Sequence, residues 1–426
     1  MEWNLLSSMP KTGNKTMEQI QSFRKSGKIL HSGSRKTIPT LRDYQEQAIK
    51  KMKWALDKEG NDLIVMPVGS GKSIVIAHFA YKLDKDILIL QPNKELLAQN
   101  YEKMSRYTNE IGIYSASFNK KEIKKFTFAT IQSIYKIPEK FTHFDIVLVD
   151  EADLINPRNL NTMYQKFFSY WNPKVYGFTA TPYRLETFSK KKFNEYGRVY
   201  FESTTRLKMI NRYYPAFWRR MLYVLNPRDI PEYLAKLNYY DKSIFPINKI
   251  PVNKSRSDFD LLQYEKMIDI DYIIGTIKQL QKNHKSIIVF APTINTAAIL
   301  NSMTNNSVVI HSNLSKKERS EAVKKFKSGE YQVIYNVNIL TAGFDHPKLD
   351  CIVLLRPTRS LRLYVQMLGR GARPGSDCDV IDMVGVVKSL GRLETIEVVK
   401  LQGGWDVITE TTFGFHNKVL YNYTIQ

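Results

Sequence analysis

An α/β fold built on parallel sheets, present twice along the chain, is what this sequence predicts, and three observations predict it. The chain has 426 residues, too many for one ordinary hydrophobic core. Its apolar runs are short and continuous, as in Ile87-Leu88-Ile89-Leu90 and Ile146-Val147-Leu148-Val149, which is the pattern of strands covered by helices on both faces. These runs alternate with stretches at helical spacing, and the alternation begins twice, at Leu41 and again near Leu261.

Composition narrows the function classes. Hydrophobic residues make up 43% and charged residues 24%, as in soluble globular proteins. No window approaches the roughly 18 consecutive apolar residues of a membrane span. The N-terminal residues lack the apolar core of a secretory signal, so a cytoplasmic location is expected and a membrane partner is not. Two cysteines, Cys351 and Cys378, exclude a disulfide framework and a four-cysteine zinc site; two reduced thiols are expected. Lys and Arg number 63 against 41 Asp and Glu, a net charge of +22. A field of that sign favours a polyanionic partner, nucleic acid first, although a generally basic proteome would give the same balance.

Residues 1–38 are polar and basic with little periodicity, and read as an extension. From there the order is informative. Leu41, Tyr44, Ala48, Ile49 and Met52 share one helical face, which carries Gln45 just upstream of Leu63-Ile64-Val65-Met66-Pro67-Val68-Gly69-Ser70-Gly71-Lys72-Ser73. A strand, a glycine turn ending in Gly-Lys-Ser and a helix form a phosphate cradle. Gly69 and Gly71 let the backbone close around an anion, and the N–H groups of the following helix point at it. Lys72 would reach the outer phosphates and the Ser73 hydroxyl would help hold Mg²⁺. The full pattern places a glycine where Met66 stands. The Gln45 amide offers the donor and acceptor that adenine requires, although a surface glutamine has the same spacing.

The strand Ile146–Val149 ends in Asp150-Glu151-Ala152-Asp153. A carboxylate at the C-terminal end of such a strand can hold Mg²⁺, and its neighbour can orient or deprotonate water; an acidic first helical turn would also explain the letters. Val175–Phe178 is the next strand, and the hydroxyls of Thr179-Ala180-Thr181 that follow could bridge this site to whatever faces it. Between Arg206 and Arg220 lie five basic residues, four aromatic residues and no acid, including Trp218 and Arg219. Rings for bases interleaved with cations for phosphates suit strand binding, and a basic connector with rings in a core suits the same letters. The segment 206–260 is expected to link a first domain, 39–205, to a second, 261–426.

In the second series, Ile287–Phe290, Val308–His311, Val333–Val337 and Ile352–Leu355 read as buried strands. Ser315 and Glu318 form a capping box for a helix that Gly329 ends. Gln366, Arg370 and Arg373 are spaced four and three apart, so a helix would put them on one face. Such groups aimed at one point suit a phosphoryl group carrying transition-state charge.

From Leu41 to about Leu390 the segments resemble, in order, the motifs of the superfamily 2 nucleic-acid helicases and translocases. Arg42, Tyr44 and Gln45 resemble the adenine-reading motif, Gly69–Ser73 motif I, Gln91–Leu96 motif Ia and Ala129–Gln132 motif Ib. Asp150–Asp153 is similar to motif II, Thr179–Thr181 to motif III, Val289–Thr293 to motif IV, Leu340–Asp345 to motif V and Gln366–Arg373 to motif VI. The segments Asn336–Asp345, Leu355–Thr358 and Gln366–Gly371 resemble the RadD-type DNA helicases, and compact phage UvsW-like branch-migration helicases look related in layout.

The resemblance implies two tandem RecA-like parallel-sheet domains with an ATP cleft between them. It implies ATP and Mg²⁺ as cofactors, nucleotide contacts from Arg42, Gln45, Gly69, Ser70, Gly71, Lys72, Ser73, Gly343 and Asp345, and metal contacts from Ser73 and Asp150. Catalytic roles fall on Lys72, Asp150, Glu151, Gln366, Arg370 and Arg373. The implied partner is DNA, single-stranded, forked or branched, in replication, recombination or repair. Asp-Glu-Ala-Asp also occurs in DEAD-box RNA helicases, but the glutamine segment and Gln366-x-x-Gly-Arg-x-x-Arg depart from that family, and the cysteine cluster of RadD-type proteins is missing. A duplex translocase without strand separation, an RNA helicase and a binding module with a decayed ATP site are the alternatives.

Overall fold

Two parallel sheets organise the chain, and the alternation of their side chains decides what each face packs against. The computed structural model describes residues 38–156, 159, 161–193, 199–212, 217–255, 257–339, 346, 348–375, 377–402, 404–410 and 417–419. The expected N-terminal extension therefore lies almost wholly outside the described residues. Both sheets belong to one unit, Thr40–Gln426.

The first sheet contains β1 (Asn61–Val65), β2 (Ile87–Gln91), β3 (Ile111–Ser115), β4 (Lys120–Lys121), β5 (Phe126–Thr130), β6 (Ile146–Asp150), β7 (Lys174–Thr179) and β10 (Trp218–Val224). Its order is β10-β1-β7-β6-β2-β5-β3-β4, parallel except for the short β3–β4 pair. A separate two-stranded hairpin, β8 (Tyr183–Phe193) with β9 (Val199–Met209), follows β7. The second sheet has β11 (Leu237–Asp241), β12 (Ile287–Phe290), β13 (Ser307–Ile310), β14 (Val333–Asn336), β15 (Cys351–Leu354) and β16 (Cys378–Asp382) in the order β11-β16-β15-β12-β14-β13, all parallel. β17 (Glu397–Leu401), β18 (Gly404–Glu410) and β19 (Asn417–Val419) form an antiparallel sheet after it.

Period-two alternation sorts the cores. Leu63 and Val65 of β1 enter the same apolar cluster as Ile288 and Phe290 of β12, so one continuous cluster runs through both lobes. Ile64 faces the other way, against helix α1 (Asp43–Trp54) and helix α2 (Lys72–Leu83). Ile287 and Val289 pack against Ile273, Ile274 and Ile277 on the far side of the second lobe. Met66, standing where the loop pattern places a glycine, is wholly buried in the first-lobe core, so its side chain does not crowd the loop.

The expected capping box is present: Glu318 N–H donates to Ser315 Oγ, Ser315 N–H donates to Glu318 Oε2, and Gly329 ends the helix at φ 83°. The segment 206–260 differs from the expected connector. Trp218–Val224 is the edge strand beside β1, and Leu237–Asp241 is the edge strand beside β16, so the segment contributes to both sheets. Trp218 is fully buried beneath Gly177, where an added Cβ would lie 2.3 Å from the indole. It is not available to stack on a base. Arg220 makes two hydrogen bonds, 2.6 and 3.0 Å, to the buried Asp62, which also pairs with Lys174 at 2.8 Å. Arg220 therefore neutralises an interior carboxylate. Arg219 alone of this pair is exposed, near Glu59 at the surface. Tyr213 and Tyr214 lie outside the described residues. No described helix is long and apolar enough to cross a membrane.

Candidate active site

The cleft is built where strand ends meet, because in a parallel sheet the loops after the C-terminal strand ends share one side. β1 delivers the loop Met66–Ser73, with Gly69 at φ 86° and Gly71 at φ 82°, a backbone open to glycine and strained for other residues. β6 delivers Asp150 and Glu151, and β7 delivers Thr179 and Thr181. From the second lobe, helix α7 (Leu361–Leu368; helices α4–α6 being Ile270–Asn283, Ile294–Ser302 and Lys316–Ser328, and α3 being Lys94–Met104) brings Gln366. Gly69, Gly71, Lys72, Ser73, Asp150, Glu151, Gln366, Arg370 and Arg373 line one cavity of about 290 Å³.

The structure revises how the second-lobe groups converge. A single helix was expected to align Gln366, Arg370 and Arg373, but α7 ends at Leu368. Gly369 and Gly371 turn the chain instead. An added Cβ at Gly369 would lie 2.7 Å from Val68, and one at Gly371 would lie 2.5 Å from Cys378 Sγ. The backbone therefore passes close to the loop of the first lobe, and the two arginines reach the cavity from a turn. Gln366 and Arg370 are each 6% exposed, and Arg370 Nε donates to the Gln366 carbonyl at 3.3 Å.

Charge is concentrated in this space. Burial lowers the Lys72 pKa, opposed by the charges of Glu151, Asp150 and Asp153, while Arg373 adds to the lowering, which places its charge within reach of Lys72. Lys72 Nζ donates to the carbonyls of Met66 and Pro67, at 3.2 and 3.3 Å. The Asp150 pKa is raised by burial, against the pull of Lys72, a hydrogen bond from Asn100, the Glu151 N–H and the charge of Lys103. Glu151 is pushed up to about 7 by burial and by its acidic neighbours Asp153 and Asp150. Its backbone is held at φ 52°, a conformation that costs a non-glycine residue on the order of 1 kcal/mol or more and recurs at reacting groups.

Gln45 and Arg42 stand apart from the cavity lining. The Gln45 amide oxygen accepts from Arg42 N–H at 3.0 Å, at the start of its own helix, and its nitrogen donates to the Ser70 carbonyl at 3.0 Å, so one end of the side chain holds the loop. Tyr44 OH donates to the same carbonyl, and Arg42 reaches Tyr44 OH and lies over the Tyr233 ring. Ser70 is wholly buried, with its hydroxyl on the Pro67 carbonyl at 2.7 Å. Gly343 and Asp345 lie outside the described residues.

Sequence reading missed three contributors. Asn100 and Lys103, on the inner face of α3, line the cavity; Asn100 donates to Asp150 at 2.9 Å and Lys103 donates to Ser73 Oγ. Their spacing with Leu96 and Gln99 is the face of α3 turned to the cavity, a signal that was present in the sequence. Arg362, at the start of α7, makes an ion pair with Asp153 across the lobes, while Thr179 Oγ1 donates to the other Asp153 oxygen at 2.9 Å. The link across the cleft therefore runs through Asp153, which Thr179 holds, rather than through the threonine hydroxyls themselves.

A phosphate-cradling loop, a carboxylate pair and two arginines from two parallel-sheet lobes line one cavity, the constellation of a nucleotide site. Comparison with known proteins agrees. Residues 38–184 match the family described as "Type III restriction enzyme, res subunit", and residues 265–375 match the "Helicase conserved C-terminal domain". The chain is 23% identical to IRC3 of Saccharomyces cerevisiae over 389 residues, 82% of this chain and 52% of that protein. It is 25% identical to the DNA 3'-5' translocase XPB2 of Sulfurisphaera tokodaii over 353 residues, 78% of each. The fold is similar to that of S. cerevisiae Dbp5 bound to RNA and ADP BeF3, with a TM-score of 0.55, 18% identity, and coverage of 82% of this chain and 87% of that one. The chain thus spans about half the length of the yeast relative IRC3. It belongs to the superfamily 2 helicases and translocases, a family of ATP-dependent enzymes.

Proposed function

We propose that this chain hydrolyses ATP to move along DNA, acting on forked or branched substrates. The observation that carries the reading is the single cavity shared by Lys72, Asp150 and Glu151 of the first lobe and Gln366, Arg370 and Arg373 of the second. Groups split across two lobes act together only when the lobes are closed, which ties chemistry to a hinge cycle.

In this reading the loop amides and Lys72 bind the phosphates. Ser73 and Asp150 would hold Mg²⁺, which supplies counter-charge to the phosphates when bound; an oxygen-only donor pair beside a phosphate cradle fits that ion. Glu151, lining the cavity beside Asp150, orients the attacking water and accepts its proton. Arg370 and Arg373 stabilise charge that develops on the transferred group. Arg42 and Gln45 would read adenine after exchanging their present contacts, and nucleotide contacts from Gly343 and Asp345 rest on the family resemblance.

DNA is favoured by the net charge of +22 and by the printed name of the XPB2 relative, a DNA translocase. A second reading, duplex translocation without strand separation, is favoured by the match of residues 38–184 to the family of the type III restriction enzyme res subunit. A panel of single-stranded, duplex, forked and four-way DNA and matching RNA tests both, scored for strand displacement and for displacement of a triplex-forming third strand. Displacement of forked DNA strands supports the first reading, third-strand displacement alone supports the second, and stimulation by RNA alone overturns both.

A further inference from the structure

The face of α3 turned toward the cavity carries a lysine whose position the ATP reaction does not require. Lys103 Nζ donates to Ser73 Oγ, the hydroxyl assigned above to the metal. One helical turn earlier on the same face, Asn100 donates to Asp150 Oδ2 at 2.9 Å, and the Asp150 Oδ1 accepts from the Glu151 N–H at 3.1 Å. The cavity therefore presents Ser73, Asp150, Asn100 and Lys103 side by side.

The local charges explain why a cation should rest there. Asp150, Glu151 and Asp153 crowd the end of β6, and the carboxylates of Asp150 and Asp153 are buried, where a negative charge needs a nearby positive group. Arg362 is committed to Asp153, and Lys72, whose charge also acts on Asp150, makes its hydrogen bonds to the carbonyls of Met66 and Pro67 and none to Ser73 that competes with Lys103. A lysine ammonium is a compact charge on a flexible stem, suited to occupying a cation position and to leaving it.

We propose that Lys103 is a resident counter-ion of the cleft, with its ammonium holding the Ser73 hydroxyl beside Asp150 in the nucleotide-free protein and competing with a divalent cation for that place. The inference rests on Ser73 and Asp150 being the metal-holding pair. It makes the nucleotide-free protein a weak binder of free divalent cation and leaves the metal to arrive with phosphate, whose negative charge offers Lys103 another partner.

Mn²⁺ is the probe, its binding to nucleotide-free protein measured by electron paramagnetic resonance, with melting temperature recorded for each variant. Lys103→Met should bind Mn²⁺ at least about tenfold more tightly than the parent, since a like charge within a few ångströms is removed. Lys103→Arg, which keeps the charge, should bind as weakly as the parent. Asp150→Asn in the Lys103→Met background should abolish the gain. Equal Mn²⁺ affinity of Lys103→Met and the parent, with binding still lost on Asp150→Asn, would overturn the counter-ion role and leave the metal site standing. Binding that survives Asp150→Asn would overturn the metal assignment itself. If Lys103→Met melts well below the parent, Lys103→Gln serves in its place with the same expectations.

Discussion

Gly369 and Val68 meet in a close approach between the lobes: a Cβ at Gly369 would lie 2.7 Å from both Cβ and Cγ1 of Val68. The glycine closes the turn after α7, and the valine belongs to the phosphate loop. The position of the arginines relative to Lys72 thus depends on a missing side chain.

Gly369→Ala should therefore hold the lobes apart. Turnover of ATP is expected to fall on the order of tenfold or more, because a misplacement of about 1 Å can cost about 10²-fold, while the melting temperature changes little. Val68→Ala in the same protein removes the opposing methyl groups and should recover part of the rate. A double variant no faster than Gly369→Ala would show that this contact does not set the approach.

Arg370→Ala and Arg373→Ala should lower kcat far more than they weaken ATP binding, since their charge matters most when the transferred group is at its transition state. Loss of such an arginine costs about 10³-fold or more in related chemistry. Steady-state kinetics beside binding of a fluorescent nucleotide separates the two effects. A defect confined to binding would remove the arginines from the reaction.

Asp153 joins Thr179 of the first lobe to Arg362 of the second. Arg362→Ala and Thr179→Ala, alone and combined, should show a coupling of about 0.5–3 kcal/mol in the apparent free energy of nucleic-acid-stimulated turnover, as expected for residues in one network. Strictly additive effects would mean that the three side chains do not act as a relay.

Trp218→Ala should cost about 3–5 kcal/mol of stability, the usual range for emptying a buried aromatic site. Arg220→Ala should also destabilise the fold by leaving Asp62 with Lys174 alone. Neither change should alter the salt dependence of DNA binding in protein that remains folded. Arg219→Ala should leave stability within about 0.5 kcal/mol; a fall of about 0.7–0.9 in its salt slope would mark a phosphate contact. Thermal melts and salt titrations on the same preparations decide.

The phosphate loop, the carboxylates and the arginines were legible because each is encoded within a few residues: glycines where the chain must turn, a Gly-Lys-Ser run at a helix start, acids directly after an apolar strand. The strands carrying them were legible for the same reason, since a strand covered on both faces is apolar throughout. The edge strands were not. Trp218–Val224 mixes two arginines with apolar residues because one side of an edge strand is less enclosed, and Arg220 is explained only by Asp62, 158 positions away. Arg362 is similarly explained by Asp153, 209 positions away. The turn that carries Arg370 looked helical because its spacing is helical; the close packing of Gly369 and Gly371 against other elements, invisible locally, ends the helix first.

The central claim is that closure of the two lobes on ATP drives a nucleic-acid motor, and the most direct measurement is phosphate release with and without forked DNA, in the parent and in Glu151→Gln. The glutamine keeps the shape of the side chain and removes its capacity to accept a proton. The account predicts DNA-stimulated release in the parent and its collapse in Glu151→Gln, with ATP still bound. Release at the parental rate by Glu151→Gln, or a parental rate indifferent to every nucleic acid, would contradict it.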